Sequence, residues 1–334
     1  MAQQGETIIE QGLSAGSRIL VTGDAGFIGR ALCDLLVSNG FEVLGVDRNA
    51  SDDAMGWRHE TCDILDADRL KAIVTRFDPH GVVHLAARTD LVGETVEDYE
   101  ANRGGVRNVC EAVAASPSAK RAIYTSTQLV CEIGHTPAHD EDFRPSTVYG
   151  ESKIETEKIV RQLDGGGVEW CLTRPTTGWG PGMSAHYTSV LRFIEKGLFF
   201  HMGKGALVKH YFYIENIAYQ YLKLLQAPKD AIHGQVFYLA DEEKFSLRDY
   251  VNKAADAMGV ARPRTMPLPV AKALATVGTG LSKVGLPFPF TRFRLRNIRT
   301  EYQFDLSRTT RVCGPVPVSF DEGVRRTVAW YRER

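Results

Sequence analysis

The sequence predicts an α/β fold: a doubly wound parallel sheet joined to a smaller, mostly C-terminal α/β domain. Three observations lead there. From Ser17 onward, short β-branched runs alternate with amphipathic stretches, the pattern of parallel strands joined by crossover helices. A glycine loop, Thr22-Gly23-Asp24-Ala25-Gly26-Phe27-Ile28-Gly29, separates the first run from the first amphipathic stretch. The 334 residues are 43% apolar, enough to bury a sizeable core in one large or two interleaved domains.

The elements follow in order. Residues 18–22 read as strand one, and a helix from Phe27 to Asn39 closes at Gly40. Strand two is 42–47, a third strand spans 58–64, and a helix covers 67–77. Strand four is 81–86, a long helix runs from Val96 or Tyr99 to Ala115, and strand five is 121–126. A helix from Tyr149 to Leu163 and a strand over 169–174 come next. After Pro175 the pattern loosens into Gly- and Pro-rich turns, with one further strand at 235–239.

Composition excludes several classes. Forty basic and 41 acidic side chains leave a formal charge of -1, so no global basic field marks a nucleic-acid binder. The six cysteines show neither C-x-x-C nor metal-ligand spacing, so no metal is expected and a reduced, cytoplasmic setting fits best. The first sixteen residues lack the basic-then-apolar order of a signal peptide and read as a loose leader. No run reaches the eighteen or so apolar residues of a membrane span. The nearest, Pro269 to Phe290, carries Lys272 and Lys283. It reads as a packed lid or substrate-domain helix, with membrane-surface contact as the alternative.

The glycine loop follows a strand and opens a helix, the context in which such a loop binds a dinucleotide. Gly23 permits the tight turn, Gly26 lets backbone amides approach a pyrophosphate, and Gly29 lets the helix pack on the sheet. Phe27 and Ile28 begin the helix whose N-terminus faces the phosphate charge. Asp47, at the end of strand two, suits the adenosine ribose hydroxyls and favours NAD over NADP, although Arg48 beside it could hold a 2′-phosphate. Asp63 and Ile64 close the third strand, where a carboxylate can accept from the adenine amino group.

Tyr149 and Lys153 stand four apart on a helix and face the same way. A nearby ammonium favours the phenolate and lowers the Tyr pKa toward proton-trading range. Next to a bound nicotinamide, that pair is the proton half of a hydride transfer.

With these residues in place, the chain resembles the extended short-chain dehydrogenase/reductase superfamily, in its sugar-nucleotide epimerase/dehydratase branch. The loop at 22–29 resembles the family's T-G-x-x-G-x-x-G, and His84-Leu85-Ala86-Ala87 its H-x-A-A segment beside the cofactor. Asn102 matches a structural Asn of the central helix, Thr127 takes the place of the catalytic Ser or Thr, and Tyr149 and Lys153 match Y-x-x-x-K. Arg174-Pro175 followed by Gly180-Pro181-Gly182 resembles the R-P…G-P-G stretch. The resemblance implies a Rossmann-type NAD domain with Thr127, Tyr149 and Lys153 catalytic and Leu85, Ala86, Ala87, Asn102 and Pro175 near the cofactor. It also implies a homodimer formed through the helices at 96–115 and 149–163.

Departures bear on the substrate. Gln128-Leu129 replaces the Asp-Glu pair of 4,6-dehydratases, and Cys131-Glu132 replaces Tyr-Gly at the rim. Thr177 stands where many epimerases carry an Asn that touches the diphosphate. Lys209 falls where an Arg grips it, as a point charge rather than a bidentate fork. Arg88, His186, Tyr187, Arg192, Lys204 and Lys209 are the residues nominated, with Thr127 and Thr177, to hold a small-molecule substrate. Residues 17–180, rejoined by 210–242, form the expected NAD domain; 181–209 and 243–334 form the substrate domain.

A nucleotide-sugar epimerase is the first reading. The second is a 3β-hydroxysteroid-dehydrogenase-like enzyme, which Gly234–Leu239 and the apolar stretch from Pro267 resemble. A non-catalytic, nucleotide-sensing member is the third, and the retained Tyr149 and Lys153 argue against it.

Overall fold

The computed structural model describes residues 12–50, 55–132, 134–203, 207–283, 286, 291–292, 295, 300–301 and 303–334. Strands β1 (Arg18–Thr22), β2 (Glu42–Asp47), β3 (Arg58–Thr61), β4 (Gly81–His84), β5 (Arg121–Thr125) and β6 (Glu169–Pro175) join the strand Gln235–Leu239 in one seven-stranded sheet. Every pairing in it is parallel, in the order Gln235–Leu239, β6, β5, β4, β1, β2, β3. The order in which successive strands are added reverses between β1 and β4, so a crevice opens outside the carboxyl ends of those strands. β4 and β5 are buried at every residue, as expected of strands covered by helices on both faces.

Helices α1 (Phe27–Ser38) and Ile214–Gln226 cover one face with Leu32, Leu36, Ile217 and Tyr221. Helices α2 (Ala67–Phe77) and α3 (Glu100–Ala114) cover the other with Leu70, Ile73, Val106 and Val109, and α4 (Val148–Gln162) adds Ile159 and Val160. Asp66 caps α2 by accepting from the Arg69 amide at 3.1 Å.

Two expectations need correction. The third strand ends at Thr61, leaving Asp63 and Ile64 in the turn into α2, where Asp63 Oδ1 accepts from the Leu65 amide at 2.9 Å. Part of the stretch read as a loose leader is docked. The Leu13 amide donates to Leu225 O at 2.8 Å, and the Leu13 side chain enters the core. A Cβ on Gly12 would fall 2.4 Å from Gln226 C, so only glycine fits there. Residues 1–11 of that leader lie outside the described residues.

The C-terminal lobe is built differently. Among the described residues, three two-stranded ladders hold it: Thr177–Trp179 with Tyr211–Tyr213, Val208–Lys209 with Phe245–Ser246, and His201–Met202 with Thr265–Met266. Trp179 sits among Tyr213, Phe245, Tyr250 and Phe320, with ring centroids 4.9, 5.7, 5.3 and 5.8 Å away. That aromatic group ties the lobe's ladders and helices together, a dense apolar contact in tilted and edge-to-face geometry.

Candidate active site

The glycine loop is shaped by contacts that leave no room for side chains. Gly23 has φ +79°, and a Cβ there would meet Ala86 N at 2.7 Å. A Cβ on Gly29 would lie 2.1 Å from Gly23 O, so α1 packs on the loop only as glycine. At Gly26 the nearest atom would be Gly23 O at 3.1 Å, so this glycine faces open space, where a ligand's backbone approach needs a small residue. Gly26 is the N-cap of α1, and neither a capping side chain nor an acid occupies the first turn. Those helix amides are thereby left to an anion, and the cradle fits a dinucleotide pyrophosphate.

Asp47, at the end of β2, accepts from the Asn49 amide at 2.9 Å, which fixes one carboxylate oxygen at the strand end. Arg48 is exposed.

The Leu85-Ala86-Ala87-Arg88 segment leaves β4 next to Gly23. His84 anchors it: His84 Nδ1 and Thr22 Oγ1 are 2.7 Å apart, and Thr22 Oγ1 accepts from the Ala86 amide at 3.3 Å. Burial first, then the Lys153 charge, pulls the His84 pKa down to about 3. Asn102 then binds the segment to the helix behind it. Its Oδ1 accepts from Arg88 N at 2.9 Å, while Nδ2 donates to Arg88 O at 3.0 Å and to Ser152 Oγ at 2.9 Å. Ser152 in turn donates to Tyr149 O at 2.7 Å.

Helix α4 starts at Thr147, whose hydroxyl accepts from the Gly150 amide at 3.0 Å. Tyr149 and Lys153 lie on its buried face. Thr127, just past β5, is hydrogen-bonded to the Tyr149 phenol, and Lys153 Nζ donates to Thr125 O at 2.7 Å. The three nominated catalytic residues therefore converge at the carboxyl end of β5.

Their electrostatics depart from the sequence expectation. Burial pushes the Tyr149 phenol up to about 12, against a lowering hydrogen bond from Thr127, and Lys153 is not among the groups that shift it. Burial lowers the Lys153 ammonium to about 8, opposed by Glu157 one turn on. At neutral pH the resting pair is thus a neutral phenol beside a mostly protonated amine.

Three contributors escaped the sequence reading. Tyr99 is fully buried with its ring 6.0 Å from that of Tyr149, and its hydroxyl donates to Asp90 O at 2.9 Å. Ser152 relays Asn102 to Tyr149. Glu157 backs Lys153 and forms a buried bidentate pair with Arg174, at 2.7 and 2.8 Å. Its position four residues after Lys153 was the available signal.

The nominated substrate residues do not converge in the same way. Thr177 Oγ1 accepts from Gln128 Nε2 at 3.3 Å. The Arg88 guanidinium is turned to Asp90 (2.8 Å) and to Asp98 O (2.6 Å), over the Tyr99 ring. Arg192 is exposed, and its helix meets the helix Phe320–Arg332 through Glu195, which accepts from the Tyr331 hydroxyl at 2.8 Å. Lys209 is half-buried in its short strand, and burial lowers its pKa to about 8. Tyr187 is exposed. Lys204 and the His186 side chain lie outside the described residues.

A family model described as the NAD dependent epimerase/dehydratase family matches residues 19–240. The chain belongs to that family, and its chemistry is that of an NAD-dependent enzyme of the epimerase/dehydrogenase type. It is 28% identical to a 2-alkyl-3-oxoalkanoate reductase of Stenotrophomonas maltophilia, across 93% of this chain and 98% of that one. It is 27% identical to a 3 beta-hydroxysteroid dehydrogenase/Delta 5-->4-isomerase of Mycobacterium tuberculosis, across 74% of this chain and 71% of that one. Among solved structures, a UDP-glucuronic acid 4-epimerase of Bacillus cereus in complex with NAD superposes with a TM-score of 0.74. That likeness covers 95% of this chain and 96% of the other at 20% identity, and it shows the shared fold.

Proposed function

We propose that this protein is an NAD-dependent oxidoreductase that interconverts a secondary alcohol and a ketone on an apolar substrate, with Tyr149 as the acid/base. One observation carries the chemistry: Thr127, Tyr149 and Lys153 meet at the end of β5, next to the segment that closes on the glycine loop. NAD, when bound, supplies the hydride position, and Gly23, Gly26, Gly29 and Asp47 are the residues to hold it.

The rest falls to the chain's own groups. A phenol pushed up to about 12 is the donor form, which can pass its proton to a developing alkoxide. Thr127 orients the same oxygen through its hydroxyl. Lys153, held against Thr125 O, presents its ammonium on the same buried face of α4 that carries Tyr149.

The apolar reading rests on where the cations went. Among the described residues, the Arg88 guanidinium is turned to Asp90 and Asp98 O, Thr177 accepts from Gln128, and Arg192 is exposed. Both relatives described above carry names of enzymes for alkyl or sterol substrates. A nucleotide-sugar epimerase is the second reading, favoured by the half-buried cation Lys209.

Incubation with NADH and a panel of alkyl ketones and ketosteroids, set against UDP-, dTDP- and GDP-sugars, separates the two. Net NADH consumption on the apolar panel supports the first reading; epimerised sugar without net redox supports the second and sinks the first. Tyr149→Phe should lower turnover about 10²- to 10⁴-fold while leaving NAD affinity within a few-fold. Turnover near the parent's would remove Tyr149 from the mechanism under either reading.

A further inference from the structure

The helix Leu268–Lys283 turns Ala271 and Ala275 inward, both fully buried. Val270, Leu274 and Val277 stand outward at 48, 41 and 59% exposure. Spaced four and three apart, they form one continuous stripe. Lys272 is exposed on the same helix, and the Arg292 guanidinium rests on it through Thr276 Oγ1 at 3.0 Å. The ladder of Thr265–Met266 with His201–Met202 brings the exposed Leu198 and Phe200 close to where this helix begins.

Among the described residues on this helix and its flanks, Arg264, Lys272 and Arg292 are exposed cations, while Arg262 is paired with Asp256 at 2.6 Å. The stretch 261–300 itself contains no Asp or Glu, in a chain whose net charge is -1. An apolar stripe on a surface helix needs an occupant that takes both its carbon and its charge. A second copy meeting this face about a two-fold axis would bring Lys272 and Arg292 up against the same two cations, and the stretch 261–300 has no acid of its own to pair with them. A bilayer with anionic headgroups meets both demands: aliphatic side chains enter the acyl boundary while Lys and Arg stay among the phosphates. At sixteen residues the helix is too short to span a bilayer and long enough to lie in its plane.

We infer that the Leu268–Lys283 helix docks this protein on the surface of an anionic lipid membrane. This surface is separate from the NAD site, so its test needs no substrate. The full chain is sedimented with vesicles of phosphatidylcholine alone and with vesicles containing about one third phosphatidylglycerol. The expected result is binding to the anionic vesicles, at least about tenfold weaker on phosphatidylcholine alone and declining as salt is raised.

Leu274→Asp with Val277→Asp should weaken that binding at least about tenfold, since both side chains would carry charge into the acyl boundary. Lys272→Glu with Arg292→Glu, which leaves the stripe intact, should do likewise by reversing the charge. Unchanged NAD affinity shows that each variant is folded. No sedimentation with anionic vesicles overturns the inference, as does equal binding by both double variants. So does a dimer that dissociates in the Asp variant without any vesicle binding, because the stripe would then be a contact between copies.

Discussion

The two lobes hold their functional groups in opposite ways. In the sheet lobe, backbone fixes chemistry. Gly23 and Gly29 shape the loop, Thr22 and His84 lock the ends of β1 and β4, and Asn102 and Ser152 tie the next segment to α4. In the C-terminal lobe, two- and three-residue ladders and an aromatic cluster carry long side chains whose ends are placed by neighbours. The first lobe thus fixes its groups through strand register and backbone, while the second places most of its charged side chains by contacts between neighbours. Retention of one reaction with variation of substrate is what that division allows.

The largest expected effect breaks the first lobe. Gly29→Ala would place a methyl 2.1 Å from Gly23 O and 2.7 Å from Asp24 Cα, both backbone atoms that cannot rotate away. Strain of about 3 kcal/mol, if released by opening the loop, should weaken NAD binding at least about 100-fold by titration calorimetry. Gly26→Ala, with only Gly23 O at 3.1 Å, should leave the melting temperature nearly unchanged and lose affinity alone. If both variants lose stability equally, Gly26 is structural and the cradle is misassigned.

A middle-sized effect concerns the lock between the strands. His84 is held neutral down to about 3, against an ordinary 6.5. The unfolded chain therefore takes up a proton in that window that the folded chain refuses, and the His84 contribution is lost as pH falls below 6.5. Between pH 7 and pH 5 that loss is about 2 kcal/mol. Buried Asp241 runs the other way: burial raises its pKa to about 7, so its contribution improves as pH falls through the same range. The two slopes oppose each other in the parent, so the informative quantity is a difference. The stability gap between the parent and His84→Asn in urea should change by about 2 kcal/mol between pH 7 and pH 5. A gap independent of pH would mean that His84 is not held neutral.

The same division explains what could be read from sequence. Strand ends and the glycine loop are local features with fixed spacings, so Thr127, Tyr149 and Lys153 could be placed on a strand end and a helix face before any coordinates. Asp63 and Ile64 were misassigned to a strand because the β-like run continues past Thr61, while pairing to β2 stops there. Tyr149 was expected to feel Lys153 first; burial overrode it, and burial is a tertiary quantity that helical spacing does not carry. The sequence singles out Lys209 by its place relative to the resemblance, while Arg88 and Arg192 stand there as further candidate cations. The ion pair to Asp90 and the exposure of Arg192 set those two apart from half-buried Lys209.

That separation yields the smallest expected effect. Arg192 projects from the helix Ala185–Glu195, whose Leu191 and Ile194 are fully buried, and is itself exposed on the outer side. As an exposed surface contact it should contribute within about 0.5 kcal/mol to stability. Arg192→Ala should then leave kcat/KM within about twofold, because no charge at the reacting oxygen changes. Lys209→Ala is the contrasting variant: its ammonium is lowered to about 8 by burial, so its removal should be felt more by an anionic substrate than by an apolar one. A rise in KM on UDP-sugars with Arg192→Ala would mean that the C-terminal lobe closes over the site in the complex and brings this residue with it. The lobe's long side chains would then be placed by the substrate rather than by the fold.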